Sequence, residues 1–110
     1  MAFRSDLDSM ILAVLRQGPA HGYEIAIRIR MTSGEILSAG EGQIYPALHK
    51  LEADGCVQSE WQIQEGRPSR RTYSITDKGV KSLQEELSKW KSFRSAVDSV
   101  FGLGESKCQS

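Results

Sequence analysis

The sequence has no long hydrophobic run and only two cysteines. No apolar segment approaches the roughly 18–20 residues that a membrane-spanning helix needs, so a transmembrane protein is excluded. Cys56 and Cys108 lie far apart in the chain, which excludes a disulfide-stapled scaffold and suits a reducing compartment. Because residues 1–9 carry charges before any apolar stretch, we expect no secretory signal and a cytoplasmic protein.

Charge of one sign is not in excess either, since 14 Lys and Arg stand against 14 Asp and Glu. A net charge of zero argues against a protein that coats nucleic acid regardless of sequence. The charges are unevenly spread, however, with a balance of −3 over residues 1–63, +3 over residues 64–81 and zero over residues 82–110. The chain of 110 residues, enough for one compact domain, therefore has one focused basic segment.

Hydrophobic periodicity predicts two helices in the first third of the chain. Apolar residues from Leu7 to Leu15 recur at helical spacing, and Gly18-Pro19 ends this helix. A second helix is predicted over residues 20–31, with one face made of Gly22, Ile25, Ala26 and Ile29. Residues 35–40 follow as either a brief strand or an extended link.

A third helix is predicted over residues 41–54, with Gly55 as its terminator. Pro46 falls near its sixth position, where the missing N–H removes a hydrogen bond, so the helix either starts late or bends there. The inward face consists of Ile44, Leu48 and Leu51. The outward residues are small or polar, as a surface against DNA base edges and phosphates requires: Gly42, Gln43, Pro46, His49, Lys50 and Ala53.

The periodicity then changes from 3.6 to 2, which indicates a β-hairpin over residues 56–75. Val57, Trp61 and Ile63 alternate with polar residues, typical of a half-buried strand. The turn is predicted over residues 64–69, and the tip and return arm carry Arg67, Arg70 and Arg71. A polar helix face alone is usually just solvated, but a cationic hairpin directly after it favours DNA binding.

The last helix is predicted from Asp77 to about Phe101, with Thr76 as its cap. At 1.5 Å per residue it is roughly 37 Å long, more than so small a domain can cover. Its apolar residues recur at spacings of three and four, interrupted by Arg94. They are Val80, Leu83, Leu87, Trp90, Val97 and Phe101.

Three stretches resemble the PadR family of bacterial transcriptional regulators: HGYEI at residues 21–25, GQIYPALHKLEADG at residues 42–55 and EGRPSRRTYSITDKG at residues 65–79. The resemblance extends over about residues 7–100. It implies a mainly α fold with a small β-hairpin, namely a winged helix-turn-helix over residues 5–76, a dimerisation helix over residues 77–101 and a polar tail over residues 102–110. Members are mostly repressors that bind palindromic operators as dimers, so double-stranded DNA and a second copy are the expected partners.

The resemblance also assigns roles to residues. The DNA contacts it implies are Tyr23, Gln43, Tyr45, His49, Lys50, Arg67, Arg70 and Arg71. Tyr45 either gives its hydroxyl to a phosphate or is a core tyrosine. The dimer would form through the apolar positions of the final helix. Trp90 either packs the dimer core, which we favour, or stacks a flat aromatic effector together with Phe93 and Val97.

No catalytic constellation is found. His21 and His49 lie on different helices, there is no glycine-rich phosphate loop, and the two cysteines do not have a metal-ligand spacing. We therefore expect a non-enzymatic repressor without metal or cofactor. The alternatives are an effector-responsive multidrug sensor of the same family and a winged helix that binds another protein.

Overall fold

A computed structural model describes residues 3–103 as three helices, an antiparallel hairpin and a long helix. The elements are α1 (Phe3–Arg16), α2 (Gly22–Thr32), α3 (Glu41–Ala53), β1 (Val57–Gln64), β2 (Arg67–Ile75) and α4 (Asp77–Phe101). The predicted element order is confirmed. The arrangement is a winged helix-turn-helix, in which α3 follows α2 and the hairpin is the wing. Residues 104–110, which include Cys108 and most of the predicted tail, lie outside the described residues.

The core lies where the three short helices meet the base of the hairpin and the first turns of α4. Each of these elements contributes at least one large side chain that is under 2% exposed. These are Ile11, Leu15, Ile25, Ile44, Leu48, Tyr73 and Leu83. The faces predicted from periodicity in α1, α2 and α3 therefore point inward, because burying apolar surface is the dominant favourable term in folding.

The segment between α2 and α3 is a link without a strand. Ser33 Oγ accepts from the Leu37 N–H at 3.0 Å and lies 3.3 Å from the Leu37 carbonyl, which closes a turn after α2. Glu35 has a φ of 65°, an uncommon left-handed conformation for a residue with a side chain. A brief strand is therefore wrong here, and the link begins with this turn and continues to α3 without regular structure.

Ala20, predicted above as the start of the second helix, pairs with the hairpin instead. Its N–H donates to the Tyr73 carbonyl at 3.0 Å and its carbonyl accepts from the Tyr73 N–H at 2.8 Å. Helix α2 therefore starts two residues later, at Gly22. This single bridge attaches the α1–α2 loop to the base of the wing.

Helix α3 starts at Glu41 and continues through Pro46, so a late start is wrong. Because Pro46 has no N–H, the Gly42 carbonyl lacks its hydrogen-bond partner within the helix. Gly42 is exposed, so water can bond to this carbonyl instead. The other end of α3 is fastened to the start of α4. Lys78 Nζ donates to the Asp54 carbonyl at 2.6 Å, a cation at a helix C-terminus.

The hairpin has a two-residue turn at Glu65-Gly66, narrower than predicted, because β2 already begins at Arg67. Its register pairs Val57 with Ile75 at the base and Trp61 with Arg71 further out. Burial follows this path, since Val57 is 2% exposed and Trp61 63%. A half-buried strand is therefore right only near the base, because the outer half of the wing extends beyond the core.

Helix α4 begins with the predicted cap, since Thr76 Oγ1 accepts from the Gly79 N–H at 3.1 Å. Leu83, placed above in the dimer stripe, is 1% exposed because it packs in the core of its own chain. Beyond Leu83 no residue of α4 is fully buried. The helix therefore projects from the domain, and the molecule measures 61 × 28 × 21 Å.

Gly79 is the position of α4 where a side chain has no room. A Cβ built there would collide with the Cys56 backbone carbonyl, which cannot move without shifting the base of β1. We predict that Gly79→Ala lowers the free energy of unfolding by about 3 kcal/mol. Chemical denaturation at a fixed protomer concentration measures this.

Gly42→Ala is the matched control, because Gly42 also lies in the first turn of a helix and nothing lies within 4 Å of the added Cβ. Alanine there should stabilise the protein by about 0.5–1 kcal/mol. Equal effects of the two substitutions would contradict the close packing of Gly79 on Cys56.

Candidate nucleic-acid interface

The outward face of α3 lies in solvent, as predicted. Because Ile44, Leu48 and Leu51 are buried, the opposite positions are exposed: Gly42, Gln43, Pro46, His49, Lys50 and Ala53. Gly42, Pro46 and Ala53 lie along the middle of this face, which therefore has no long side chain. A helix with such a face can approach a flat or grooved surface closely.

Gln43 and Lys50 flank this face on the side of α1, and both contact their own chain. Gln43 Oε1 accepts from the Gly40 N–H at 3.3 Å, which caps the start of α3. Lys50 Nζ lies 3.5 Å from Asp8 Oδ2, and the Lys50 side chain is 69% exposed. Such an exposed ion pair contributes about 0–1 kcal/mol, so Lys50 is readily available to another anion.

On its other side, α3 meets the start of α2 and the wing at a cleft of about 580 Å³. Four lining residues are aromatic, two are arginines and none is acidic. They are His21, Tyr23, Tyr45, His49, Trp61, Ser69, Arg70, Arg71 and Tyr73. The structure thus brings together five of the predicted contact residues. Gln43, Lys50 and Arg67 do not line the cleft.

A second, larger groove of about 670 Å³ lies between α1, α3 and α4. Its lining includes Asp8, Asp54 and Glu86, and its only basic residue is Lys50. This acidic lining does not suit a polyanion. The cleft beside the wing is therefore the better candidate for nucleic acid, although it is smaller.

Tyr45 is neither a core residue nor a free one. Its ring lies on the start of α2, where a Cβ on Gly22 would be 2.6 Å from Tyr45 Cε1, and 36% of the residue stays exposed. Burial raises the pKa of the Tyr45 hydroxyl above its usual 10.0, and the nearby Glu41 and Tyr73 raise it further. The hydroxyl therefore remains protonated and can donate a hydrogen bond at the edge of the cleft.

Trp61 is one of four cleft residues that sequence reasoning missed, with His21, Ser69 and Tyr73. It faces Arg71 across the strands, and the Arg71 guanidinium carbon lies 5.4 Å from the centre of the Trp61 ring system. Both are on the face of the hairpin that carries the buried Tyr73, two residues nearer the base. Alternation identified this face correctly but predicted burial for Trp61. Regular pairing outward from the turn would have put Arg70 opposite Trp61, and the shift in register between Gln62 and Gln64 makes Arg71 the partner instead.

The basic segment divides between two places. Arg67, Arg70 and Arg71 lie on the wing, whereas Lys78 and Lys81 lie on α4, and Lys78 is bound to the Asp54 carbonyl at the end of α3. With its amide oxygen oriented toward Arg70, the Gln64 side chain accepts from Arg70 Nε at 3.1 Å. The focused patch predicted over residues 64–81 is therefore narrower, and it consists of the three wing arginines.

The apolar residues of α4 form a separate surface. Trp90 and Phe93 are 41% and 48% exposed, and their ring centres lie 6.0 Å apart. The same stripe includes Leu87, Val97, Val100 and Phe101. None of these residues lines the cleft beside the wing.

Within residues 3–103 the structure offers little for other chemistry. No helix in this range is long and apolar enough to cross a membrane. Nor do the His, Cys, Asp and Glu side chains described there form a group of three that could hold a metal ion. Cys56 is a free cysteine and is 6% exposed.

The helices, the wing and the exposed face of α3 define a winged helix-turn-helix protein. The model of the Transcriptional regulator PadR-like family matches residues 11–85. The chain therefore belongs to the PadR-like family of transcriptional regulators, which confirms the resemblance.

A relative identified by sequence and a solved structure both agree with this assignment. The negative transcriptional regulator PadR of Bacillus subtilis (strain 168) is 35% identical over 77 residues, which are 70% of this chain and 42% of that protein. The chain thus spans about two fifths of the length of the curated relative. A solved transcriptional regulator from Clostridium thermocellum has a TM-score of 0.81 at 28% identity, over 88% of this chain and 91% of that one.

A further solved relative is Bacillus subtilis PadR in complex with operator DNA. Its TM-score is 0.68 at 34% identity, and the match covers 74% of this chain and 46% of that one. The fold class predicted from the sequence is therefore confirmed by related structures, and its long final helix is α4.

The contact between Gly22 and Tyr45 gives a prediction. A methyl group at residue 22 would occupy the position of the Tyr45 ring, and the ring can swing into solvent whereas the backbone cannot. We predict that Gly22→Ala costs less than about 1 kcal/mol of stability. The pKa of Tyr45 should fall toward its usual value, because the ring loses its burial.

An ultraviolet absorbance titration measures this pKa, and Tyr45→Phe identifies which part of the signal belongs to Tyr45. The folded state binds the Tyr45 proton more tightly than the unfolded state does. Stability should therefore fall as pH rises above the unfolded pKa, and less so in Gly22→Ala. An unchanged titration in this variant would contradict the packing of Tyr45 on Gly22.

Proposed function

We propose that this chain represses transcription by binding an inverted-repeat operator as a homodimer. The observation that carries the proposal is the combination of two features on one side of the molecule. One is the exposed face of α3, in which the middle positions are glycine, proline and alanine. The other is the adjoining cleft, which has two arginines and no acidic residue in its lining. Family membership supports it, since a relative of the same fold was solved with operator DNA.

Each part of this surface has a role in the proposal. The exposed face of α3 enters a major groove, which is wide enough to admit a helix. Gln43 and His49 are positioned to read base edges, and a glutamine amide pairs well with adenine. Lys50 exchanges Asp8 for a backbone phosphate. The wing, with Arg67 near its tip, follows the neighbouring backbone or minor groove.

The homodimer forms through α4. The segment from residue 84 to residue 101 is about 27 Å long and has an apolar stripe that its own chain leaves uncovered. Two-fold pairing of this stripe places two copies of α3 on one face of the DNA. The half-sites are then one or two helical turns apart, roughly 10–20 bp from centre to centre.

The division of the chain follows from the same surfaces. Residues 5–76 are the DNA-binding unit and residues 77–101 the dimerisation helix, but the burial of Leu83 joins the first turns of α4 to the DNA-binding unit. We further propose a cytoplasmic protein that acts without catalysis. Binding of a protein partner by the same winged helix is the alternative outcome of the DNA experiment.

Fluorescence anisotropy tests the function with labelled DNA from upstream of the protein's own gene. A scrambled duplex of the same composition is the control, and both are titrated at two salt concentrations. Tight binding with a clear preference over the scrambled duplex supports a specific regulator. Weak binding to both duplexes that is lost at moderate salt would contradict an operator in this region and favour binding of a protein partner. A genome-wide pull-down of DNA would then show whether an operator lies elsewhere in the genome.

A second candidate function, an effector site for planar aromatic compounds, is favoured by the exposed pair of Trp90 and Phe93. In the dimer these rings and Val97 would lie near the two-fold axis. Quenching of tryptophan fluorescence by planar aromatic compounds, lost in Trp90→Phe, would support it. Release from DNA then requires that the effector bind the two states of the dimer with different affinities.

Replacing Arg70 and Arg71 together by Ala should weaken binding to every duplex. The plot of log affinity against log salt concentration should flatten by about one for each lost phosphate contact. Lys81→Ala is the control, because it removes a charge from the same basic segment but is not part of the wing. An unchanged slope in the arginine variant would remove the wing from the interface.

Trp90→Asp should convert the dimer to monomers in sedimentation equilibrium. A carboxylate in the centre of an apolar interface must be desolvated without a partner, which is costly. Ser88→Asp adds the same charge on the opposite face of α4 and should leave the dimer intact. A dimer that survives Trp90→Asp would mean that another surface pairs the two copies.

A further inference from the structure

The proposed DNA-binding surface includes one contact that gives a wing arginine a specific task. Arg71 and Trp61 are cross-strand partners, and the Arg71 guanidinium lies over the Trp61 ring at 5.4 Å from its centre. This distance is within the range of about 6 Å in which a cation is attracted to an aromatic face. The pair sits on the wall of the cleft that faces α2 and α3.

We propose that this cleft binds one phosphodiester group of the DNA backbone, with Arg71 as the residue that contacts the phosphate and Trp61 as the positioning residue that holds the Arg71 guanidinium. The inference rests on the proposed function and deepens it. It gives Arg71 and Arg67 different roles, because they lie on opposite sides of an irregularity in the hairpin. The strand register shifts between Gln62 and Gln64. Arg67 therefore belongs to the tip beyond the irregularity, and Arg71 belongs to the cleft.

The hydrogen bonding of Arg71 supports an anion. Its Nε is shielded from solvent, and no partner for this atom lies among residues 3–103. A buried N–H without a partner is costly. No carboxylate lines the cleft that could supply the missing charge, so the arginine is held in place by an aromatic face and by no acid.

The contact with Trp61 restricts what Arg71 can bind. The Trp61 ring lies against one side of the Arg71 guanidinium, which leaves its terminal N–H groups, unlike the shielded Nε, for a ligand. These N–H groups form a planar fork that matches two oxygens of a phosphate. The indole also restricts the long arginine side chain, so less conformational entropy is lost when the phosphate binds.

The opposite wall of the cleft supplies further donors. Tyr23 is 59% exposed and Tyr45 36%, and each has a hydroxyl that can donate a hydrogen bond. A phosphodiester has oxygens for several donors, whereas a base edge in a groove presents donors and acceptors together. A lining of donors without a carboxylate therefore fits a phosphate better than a base.

The experiment uses the full chain and a labelled mixed-sequence duplex of roughly 30 bp, which accommodates two half-sites. A contact to the backbone is independent of operator sequence, so this probe is sufficient. Arg71→Ala should weaken binding about tenfold at low salt and flatten the salt slope by about one. Trp61→Ala should reproduce both effects, although it removes no charge. Gln58→Ala, on the same strand but the other face, should behave as the wild type.

The conservative variants separate positioning from folding. Trp61→Phe keeps an aromatic face and should retain most of the slope, whereas Trp61→Leu keeps the apolar bulk alone and should lose it. The double variant Trp61→Ala with Arg71→Ala should bind no more weakly than Arg71→Ala, because the two residues act as one unit. Thermal unfolding should be little changed, since Trp61 is 63% exposed.

Three results overturn the inference. One is a Trp61→Ala protein with the slope and affinity of the wild type while Arg71→Ala is impaired. Another is a double variant in which the two losses add, which would mean that Trp61 contacts DNA by itself. The third is equal behaviour of Trp61→Phe and Trp61→Leu. If the wild type binds neither this duplex nor the DNA from upstream of its own gene, the proposed function fails as well; if it binds this duplex and Arg71→Ala binds equally, only this inference fails.

Discussion

The contact of Gly79 with the Cys56 carbonyl is the constraint on which the arrangement of the molecule depends. At this point the end of α3, the base of β1 and the start of α4 meet within a few ångströms, because residue 79 has no side chain. Two further hydrogen bonds at 2.6 Å, from Thr76 to the Gly55 carbonyl and from Lys78 to the Asp54 carbonyl, fix the same joint. The direction of the projecting helix is therefore set relative to α3.

This joint connects the two surfaces that the proposed function needs. The apolar stripe of α4 starts beyond Leu83, while the outward face of α3 ends at Ala53, only a few residues before Cys56. A change in how two copies of α4 pair would be transmitted to α3 through a short, packed connection. Small shifts at one site can become rigid-body rotations at another when they act through packed elements in this way.

Much of the fold could be predicted from the sequence because it depends on local patterns. Helical periodicity in α1, α2 and α3 follows directly from the core they share, and the change to period 2 marks the hairpin. Thr76 was recognisable as a cap because its role needs only the residues next to it. The family resemblance added the winged-helix arrangement.

The features that were missed depend on partners distant in the chain. The bridge of Ala20 to Tyr73 involves a single residue, too short to leave a pattern. Lys78 looked like part of a basic patch because nothing near it in sequence reveals the carbonyl it binds. Leu83 and Trp61 both occupy apolar positions of regular patterns. The first is buried by its own chain and the second is not, because burial depends on how far each element extends beyond the core.

The length of the wing beyond the core has a consequence for its local stability. From Trp61 outward the strands are held by their own ladder and by side-chain contacts such as Arg71 on Trp61, with little apolar surface buried. Ile63, for example, is 91% exposed. A segment of this kind opens at a lower free energy than the helices beneath it, so its amide hydrogens exchange with solvent faster than those at Tyr73. A ligand that contacts the outer wing closes this opening and slows the exchange there before it affects the core.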